Sequence, residues 1–500
     1  MRNIMVFKVL VVFILISGVQ YHHGIAGHIV YPWRATSSIV ERGTSFYVLY
    51  NNLKSLPIDS VILKGPFNQV ALGIDSINIG KFEFDHYTEM SVNNRIWVNV
   101  PQTAPEELYD LIIYSGGQTH KSPKSVHVVD AFRPSHTFIH ITDLHMTRQW
   151  VGTAEEGYAK ELELFDGFVE VANIIAPDFI LITGDNIMEY TMFDADSTGW
   201  NGVRVYEGDQ RPLVEEKYKN LFYGSHGFSG IYGLNSPSFL IAGNHDFHGI
   251  PIRGYHLEKA TQWNNMMGKR VHGFAYADTR VILSDDSLGE TEYEIPASAP
   301  MSGIQGKVHE EWLEEQGAGS IRVFAQHKHN PIDTMFMDRN NINILLNGHS
   351  HSPYHEYIGS TPTLNSRPGV ICRSGEINNW EQNLGFFRIF YIDGDTFEYT
   401  QPLRFCTNPT DHYENFDLNL TLHFQKPNDG SSSTNEATIT NSFDVDLPGC
   451  KIRFVMQKGQ YEVSGGMIQQ VIETADKTVV DVYADVNSND HQVVHIYSIE

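Results

Sequence analysis

The chain has 500 residues, of which 41% are hydrophobic and 19% are charged. This composition excludes a disordered or collagen-like protein, and the length suffices for about three domains. The formal net charge of -25 disfavours a nucleic-acid partner, because an acidic protein is repelled by phosphate backbones. Its cysteines, Cys372, Cys406 and Cys450, allow at most one disulfide bond and exclude a disulfide framework or a Cys-based zinc site.

Residues 1–26 have the pattern of a secretory signal peptide. Arg2 and Lys8 precede an apolar run at 9–16. The small residues Gly24 and Ala26 suit a cleavage site before Gly27. An uncleaved N-terminal anchor is the alternative, but the apolar run is shorter than the roughly 20 residues that span a bilayer. No later run approaches that length, so we expect a mature chain without a membrane span. The predicted location is secreted or extracytoplasmic, meaning periplasmic or at the cell surface.

Short β-type runs, separated by turn residues, recur through residues 27–135 without a helical period. They lie at 45–50, 60–63, 95–100, 109–114 and 125–129. About 100 residues of such runs predict an immunoglobulin-like β-sandwich. Alternating segments return after residue 405, so residues 406–500 are predicted to form a C-terminal β-rich domain. Carbohydrate or a cell-surface component is the candidate partner of these two β domains.

Between residues 136 and 405, apolar strands alternate with longer helical segments. A strand at 138–142 is followed by apolar residues at helical spacing over 158–172 and by a second strand at 179–182. This β-α-β order predicts an α/β domain with a mostly parallel, helix-covered sheet. The aromatic-rich stretch at 188–235 is either a substrate lid or, over 215–222, a helix that packs on the sheet.

Residue types that bind metals follow five predicted strands, which lie at 138–142, 179–182, 239–242, 321–325 and 342–346. The blocks are D-L-H at 143–145, G-D-N at 184–186, G-N-H-D at 243–246, H-K-H at 327–329 and G-H-S-H at 348–351. Side chains beyond the carboxyl ends of strands in an α/β sheet converge on one crevice, so these distant residues can meet. A mixed set of carboxylate, amide and imidazole ligands suits Mn, Fe or Zn.

In this order, the blocks resemble the calcineurin-like metallophosphoesterase superfamily, whose pattern is D-x-H, G-D, G-N-H-[DE], H and G-H-x-H. The resemblance covers residues 136–405. It implies an α/β metallophosphoesterase domain, which is a helix-flanked β-sandwich of mixed sheets. It also implies hydrolysis of a small phosphoester at a dinuclear centre of two divalent or trivalent metal ions, in which a bridging hydroxide attacks phosphorus.

The superfamily pattern, carried over position by position, implies a set of ligands for each metal. Those of the first metal would be Asp143, His145, Asp185 and His351. Those of the second metal would be Asp185 again, Asn244, His349 and either His327 or His329. We favour His327 because it directly ends an apolar strand, whereas His329 has the His-x-Pro spacing common in the superfamily. His245 would protonate the leaving oxygen, and Asp246 would orient its imidazole.

The alternative to an enzyme is a catalytically silent scaffold, or a protein that binds carbohydrate or the cell surface, with the same fold. A silent scaffold is expected to lack the catalytic histidine, and His245 is present. The sequence therefore favours a secreted metal-dependent phosphoric ester hydrolase.

Overall fold

The structure is a computed structural model. It describes residues 28–52, 55–85, 90–146, 154–187, 211–247, 256–286, 304–328, 334–351, 354–366, 385–407 and 416–499. The predicted signal peptide, His329 and Cys372 lie outside these segments. Within them, none of the helices combines the length and apolarity needed to cross a bilayer. Cys406 and Cys450 are buried and are not bridged to each other.

The N-terminal region is a β-rich unit whose strands follow the order β1-β3-β6-β5-β4-β7-β8-β2. Its strands are β1 (His28–Tyr31), β2 (Ser38–Glu41), β3 (Ser45–Asn51), β4 (Ile58–Lys64), β5 (Gln69–Asp85), β6 (Met90–Asn99), β7 (Glu107–Ser115) and β8 (Gln118–Val129). Each of the five predicted runs matches a strand, namely β3, β4, β6, β7 or β8, and only the run at 95–100 extends one residue beyond its strand. Val48, Leu63, Ile96 and Ile113 are fully buried at the centre of this region. The immunoglobulin-like topology itself stays a prediction.

The central region contains two mixed β-sheets with helices between their strands. Its strands are β9 (Ser135–Ile141), β10 (Phe179–Thr183), β11 (Ser238–Ile241), β12 (His272–Tyr276), β13 (Thr279–Leu283), β14 (Ile321–Ala325), β15 (Ile344–Asn347), β16 (Tyr354–Ile358), β17 (Thr361–Asn365), β18 (Phe386–Asp393), β19 (Thr396–Tyr399), β20 (Leu403–Arg404) and β21 (Cys406–Thr407). Its helices are α1 (Ala154–Ile175), α2 (Arg211–Tyr223), α3 (His256–Met267), α4 (Ile304–Gln316) and α5 (Thr334–Arg339).

Both central sheets combine parallel strands with antiparallel ones. In the first sheet β11, β10 and β9 are parallel and β18 and β19 are antiparallel. In the second, β13, β14, β15 and β17 are parallel and β12 and β16 form the antiparallel edges. The predicted sandwich of mixed sheets is therefore confirmed. Because β18 and β19 pair within the first sheet, that sheet extends to Tyr399.

An apolar core between the two sheets holds them face to face. Phe138 and Phe179 from the first sheet pack in one cluster with Val281, Val323 and Ile344 from the second. These side chains belong to short strands in which most residues are buried, as expected for strands covered on both faces. The packing brings the carboxyl ends of the parallel strands of both sheets to one edge of the sandwich.

Helix α1 covers the outer face of the first sheet. Leu162, Phe165, Val169 and Ala172 recur at helical spacing and are all buried. The helix ends at Ile175, just before Pro177, which cannot continue it. Residues 215–222, for which a lid was the alternative, lie in α2, whereas residues 188–210 fall outside the described part of the chain.

The C-terminal region consists of a four-stranded and a three-stranded antiparallel sheet, and a short β21–β22 pair precedes it. Its strands are β22 (Asp417–Leu418), β23 (Leu420–Phe424), β24 (Thr434–Asn441), β25 (Leu447–Gln457), β26 (Gln460–Ser464), β27 (Met467–Glu473), β28 (Lys477–Val486) and β29 (Asp490–Ile499). The predicted β-rich C-terminal region is thus confirmed. Its apolar side chains join the same core cluster as Phe165 and Phe168 of α1.

Candidate metal centre

The predicted ligand residues lie in loops that directly follow parallel strands. In the first sheet, Asp143 and His145 follow β9, Asp185 follows β10, and Asn244 follows β11. In the second sheet, the strands concerned are β14 and β15. The loop after β14 contains His327, and the loop after β15 contains His349 and His351. Each sheet therefore contributes side chains to the same edge of the sandwich.

Six of these residues form two overlapping clusters. The ligand atoms of Asp143, His145, Asp185 and His351 all lie within 4.8 Å of one another. Those of Asp185, His327 and His349 do so as well. Asp185 belongs to both clusters, and its side chain is fully buried. The two groups therefore adjoin at one carboxylate, and either can hold a metal ion.

Short distances show how closely the ligand atoms converge. Nε2 of His351 lies 3.2 Å from Oδ1 of Asp143 and 3.0 Å from Nε2 of His145. Nε2 of His327 lies 3.1 Å from Oδ2 of Asp185. Three imidazole nitrogens and two carboxylates this close together form a site for cations.

The charge state of the first cluster suits metal binding. Burial by itself would raise the pKa of Asp143, but the neighbouring His351 and His145 outweigh it and hold the pKa well below its usual range. Burial lowers the pKa of His145 to about 3, so its ring is neutral near pH 7. An ionised carboxylate and a neutral imidazole are the forms that bind metals.

His327 differs because it carries a proton that a metal can replace. Its Nδ1 donates a 2.8 Å hydrogen bond to the backbone oxygen of Thr183, which leaves Nε2 directed at Asp185. Burial opposes protonation, but the charge of Asp185 raises the pKa of His327 to about 10. The proton on Nε2 therefore lies where a cation shared with Asp185 fits.

Several residues of the site have a left-handed backbone conformation, which residues other than glycine rarely adopt. Five of the predicted ligands have positive φ, namely Asp143 (52°), His145 (46°), Asp185 (49°), His349 (67°) and His351 (55°). This conformation is unfavourable in free energy, and residues that adopt it are concentrated at functional sites. Their concentration here is an independent sign that this edge is the functional one.

Two motif glycines are needed because other residues approach them closely. A Cβ atom added at Gly243 would overlap the backbone nitrogen and Oδ1 of Asp185. One added at Gly348 would overlap Oγ1 of Thr142 and lie 2.6 Å from Oδ2 of Asp143. The absence of a side chain at these positions lets the ligand loops pack against each other.

His245 and Asn244 lie beside the two clusters. Nε2 of His245 is 3.8 Å from Oδ2 of Asp185, and its ring centre is 4.8 Å from that of His145. The backbone nitrogen of His245 donates a 2.8 Å hydrogen bond to Oδ1 of Asp185. Oδ1 of Asn244 is buried and accepts no hydrogen bond within the described segments. Nδ1 of His349 is in the same state, as expected for atoms whose partner is a metal ion.

Asp246 contacts different groups from those expected. Instead of the predicted contact with the His245 imidazole, the described hydrogen bonds of its carboxylate come from the loop after β10, from Gly243 and from α2. The amide nitrogen of Asn186 (Nδ2, 2.9 Å), the backbone nitrogen of Gly243 (2.7 Å) and the hydroxyl of Tyr218 (3.0 Å) all donate to it. Burial and the nearby charge of Asp185 raise the pKa of Asp246 to about 6. Asp246 therefore holds the Asp185 loop against the loop of His245.

Sequence reasoning missed a second set of polar residues at this edge. Strand β13 also ends there, and Asp285 and Asp286 follow it. Asp286 is fully buried, and its Oδ2 accepts a hydrogen bond from the backbone nitrogen of Lys328, next to His327. The available signal was an acidic pair shortly after the apolar residues 281–283, which is similar to the signal that Asp143 and Asp185 give.

Residues 136–353 match the family model described as calcineurin-like phosphoesterase. This segment is a calcineurin-like phosphoesterase domain. The match supports a phosphoester hydrolase, and the buried Asp and His clusters agree with the metal dependence of that family.

Several solved structures are similar to this chain at low identity. PhoD is 10% identical, with a TM-score of 0.41, and the match covers 83% of this chain and 91% of that chain. A dimetal phosphatase from Danio rerio is 12% identical, with a TM-score of 0.33 and coverage of 53% and 96%. Vps29 from Entamoeba histolytica, complexed with Zn²⁺, is 11% identical, with a TM-score of 0.22 and coverage of 53% and 97%.

These likenesses add no argument to the family match. A comparison with curated proteins found no match.

Proposed function

We propose that this protein is a secreted phosphoric ester hydrolase with a dinuclear metal centre. The observation that carries the proposal is that Asp185 belongs to both ligand clusters. One carboxylate between two ligand groups is the arrangement expected when two ions lie about 4 Å apart. The first ion would be held by Asp143, His145, Asp185 and His351. The second would be held by Asp185, Asn244, His327 and His349.

The nitrogen and oxygen donors of both groups favour Mn, Fe or Zn. When bound, such ions supply positive charge for the phosphoryl oxygens and lower the pKa of the water that serves as nucleophile. The described residues of the chain orient the carboxylates that would bind these ions. Backbone contacts from His349 to Asp143 (3.1 Å) and from His245 to Asp185 (2.8 Å) keep each carboxylate turned toward its cluster.

His245 is the proposed proton donor to the leaving oxygen. Its Nε2 lies at the border of the clusters, 3.8 Å from Oδ2 of Asp185, and 10% of its side chain is exposed. It is thus close enough to reach a substrate held there and is still in contact with solvent. Asp246 and Tyr218 support this role indirectly, since they hold the turn that begins at Gly243.

The remaining features of the proposal are supported by the sequence. The signal-like pattern of residues 1–26 supports export, and the net charge of -25 supports a small phosphoester over a nucleic acid as substrate. The β-rich regions on both sides are proposed to bind carbohydrate or a cell-surface component.

The test is a hydrolysis screen of the purified chain with Mn, using mononucleotides, glycerophosphodiesters and sugar phosphates as substrates. We expect hydrolysis of at least one class, loss of activity after treatment with a chelator, and recovery on addition of Mn, Fe or Zn. Metal analysis should give two ions per chain. The variant Asp143→Asn is the control for contaminating phosphatases and should be inactive.

Full activity in metal-stripped protein would contradict the mechanism. One ion per chain at saturation, with activity retained, would contradict the dinuclear centre alone.

A further inference from the structure

The N-terminal β-rich region reaches the metal centre through a chain of buried charges. Asp85 is the last residue of β5, and only 3% of its side chain is exposed. Its Oδ2 accepts a hydrogen bond from Asn264 of α3 and lies 3.6 Å from Nε of Arg270, which precedes β12. The end of the long strand β5 is thus buried against the phosphoesterase domain.

Arg270 passes this contact on to the carboxyl end of β13. Its Nη1 donates a 2.6 Å hydrogen bond to Oδ2 of Asp285, and the side chains of Arg270 and Asp285 are 1% and 0% exposed. A guanidinium held between two buried carboxylates has a fixed orientation, because either charge left alone would be strongly unfavourable. Arg270 therefore ties Asp285 to Asp85.

The backbone of Asp285 is fixed from its other side. Its nitrogen donates a 3.0 Å hydrogen bond to Oε1 of Gln305 on α4, and Nε2 of Gln305 donates to its carbonyl oxygen. With both backbone groups and the carboxylate held, the next residue, Asp286, has little freedom to move.

Asp286 contacts the segment that contains His327. Its Oδ2 accepts a hydrogen bond from the backbone nitrogen of Lys328, and its Oδ1 is buried without a hydrogen bond in the described segments. Lys328 is covalently bonded to His327, whose Nε2 lies 3.1 Å from Asp185. A displacement of Asp286 therefore moves the imidazole relative to the carboxylate shared by the two clusters.

We propose that Asp85 and Asp286 are positioning residues for His327, linked through Arg270 and Asp285. The N-terminal β-rich region then contributes to the affinity of the metal centre, although the proposed ligands all lie in the phosphoesterase domain. This inference rests on the proposed metal site. Partners that orient a metal-binding residue typically change metal affinity by about 10- to 100-fold when they are removed.

The test compares Mn affinity, measured by titration of the metal-stripped full-length chain, among single variants. Asp286→Ala should weaken Mn binding about 10- to 100-fold. Asp286→Asn keeps an acceptor for the Lys328 nitrogen and should restore most of the affinity. Asp85→Asn should weaken binding about 10-fold, at the lower end of the same range. Asp85→Asn should weaken Mn binding less when it is added to Asp286→Ala than when it is made alone, since both residues act through the same series of contacts.

Glu107→Gln provides the matched control. It breaks another ion pair made by a buried carboxylate of the N-terminal region. This pair is 2.7 Å long and joins Glu107 to Arg453 of the C-terminal region. Its melting temperature should fall as that of Asp85→Asn does, while its Mn affinity stays at the wild-type value. Deuterium exchange of residues 321–328 should rise in Asp85→Asn and not in Glu107→Gln.

Equal Mn affinity in Asp85→Asn and Glu107→Gln would overturn the proposal. If Asp85→Asn does not fold, Arg270→Lys replaces it, since lysine keeps the charge and loses the fork that joins two carboxylates. Wild-type Mn affinity in folded Arg270→Lys would overturn the proposal equally. Failure of the wild-type chain to bind Mn would instead contradict the proposed function.

Discussion

Nε2 of His327 lies 3.1 Å from Oδ2 of Asp185, and the two residues come from different sheets of the central sandwich. Their contact joins the loop after β10 to the loop after β14. The shared carboxylate of Asp185 therefore also links the two sheets.

Asp185→Asn should be the most damaging change among the proposed ligands. An amide has no charge to offset two neighbouring cations, so their mutual repulsion would be less well screened. We expect the variant to bind fewer than two ions and to lose hydrolysis, as measured by metal analysis and kcat/KM. Asp178→Asn is the control, because Asp178 is also buried but pairs with Arg133 at the opposite end of β10. Full occupancy of both ions in Asp185→Asn would refute the shared-ligand assignment.

His245→Asn should distinguish two roles for this histidine. An alkoxide leaving group needs a proton, whereas a nitrophenolate is already stable near neutral pH. If His245 is the proton donor, kcat/KM should fall about 10²- to 10⁴-fold on an alkyl phosphoester and much less on the nitrophenyl analogue. Metal content should be unchanged. An equal loss on both substrates would instead show that His245 stabilises charge on the phosphoryl oxygens.

Gly243→Ala should damage the site by steric overlap alone. The added methyl group would overlap the backbone nitrogen and Oδ1 of Asp185 and lie 2.9 Å from its Cα. Overpacking of this kind costs about 1–3 kcal/mol in the free energy of unfolding, and it should also displace Asp185 and weaken metal binding. Gly73→Ala is the control, because its nearest neighbour would be 3.8 Å away, at an ordinary contact distance. Wild-type metal affinity in Gly243→Ala would count against this close approach.

Asp481 should make the stability of the chain depend on pH in acid. Burial opposes ionisation, but the hydrogen bonds from Arg453 and the charge of Lys451 lower the pKa of Asp481 to about 2. The unfolded value is about 4, so the stabilisation is complete above about pH 4 and is lost as the pH falls towards about 2. This shift corresponds to about 2 kcal/mol in the free energy of unfolding.

Denaturant unfolding between about pH 5 and about pH 2 measures this effect. Asp481→Asn should lose about 2 kcal/mol less over that range than the wild type, whereas Asp444→Asn, at an exposed position, should follow the wild type. Identical pH dependence in wild type and Asp481→Asn would refute the prediction.

The sequence was sufficient to predict the strands of the central region whose residues are mostly apolar and buried. Runs such as 179–182 and 321–325 are short and mostly apolar, with Arg322 as the single charged residue, and they match β10 and β14 to within a residue. Strand β5 was missed because its alternation of polar and apolar residues changes phase after Ile74 and again after Ile79, where its pairing with β6 also shifts register. Its extended form depends on pairing with β6, which a local pattern does not reveal.

The candidate site was predictable for a different reason. Ligands of a metal must be of particular chemical types at the ends of strands, and those types are visible in the sequence as the D-x-H and G-H-x-H blocks. The direction of a carboxylate is not visible there. Asp246 was expected to face His245, but its described contacts are with Asn186, Gly243 and Tyr218. The contact of Asp85 with Arg270 joins residues far apart in sequence and has no local signature.

The apolar cluster shared by α1 and the C-terminal sheets should make these two regions unfold together. Phe165 and Phe168 of α1 belong to one continuous core with Ile439, Phe454 and Val482. Opening either side would expose the apolar surface of the other to water, so the two should lose structure in one cooperative step. In a calorimetric scan the phosphoesterase domain and the C-terminal strands should therefore give a single heat-absorption peak. A protease cut between them should leave two fragments that remain associated.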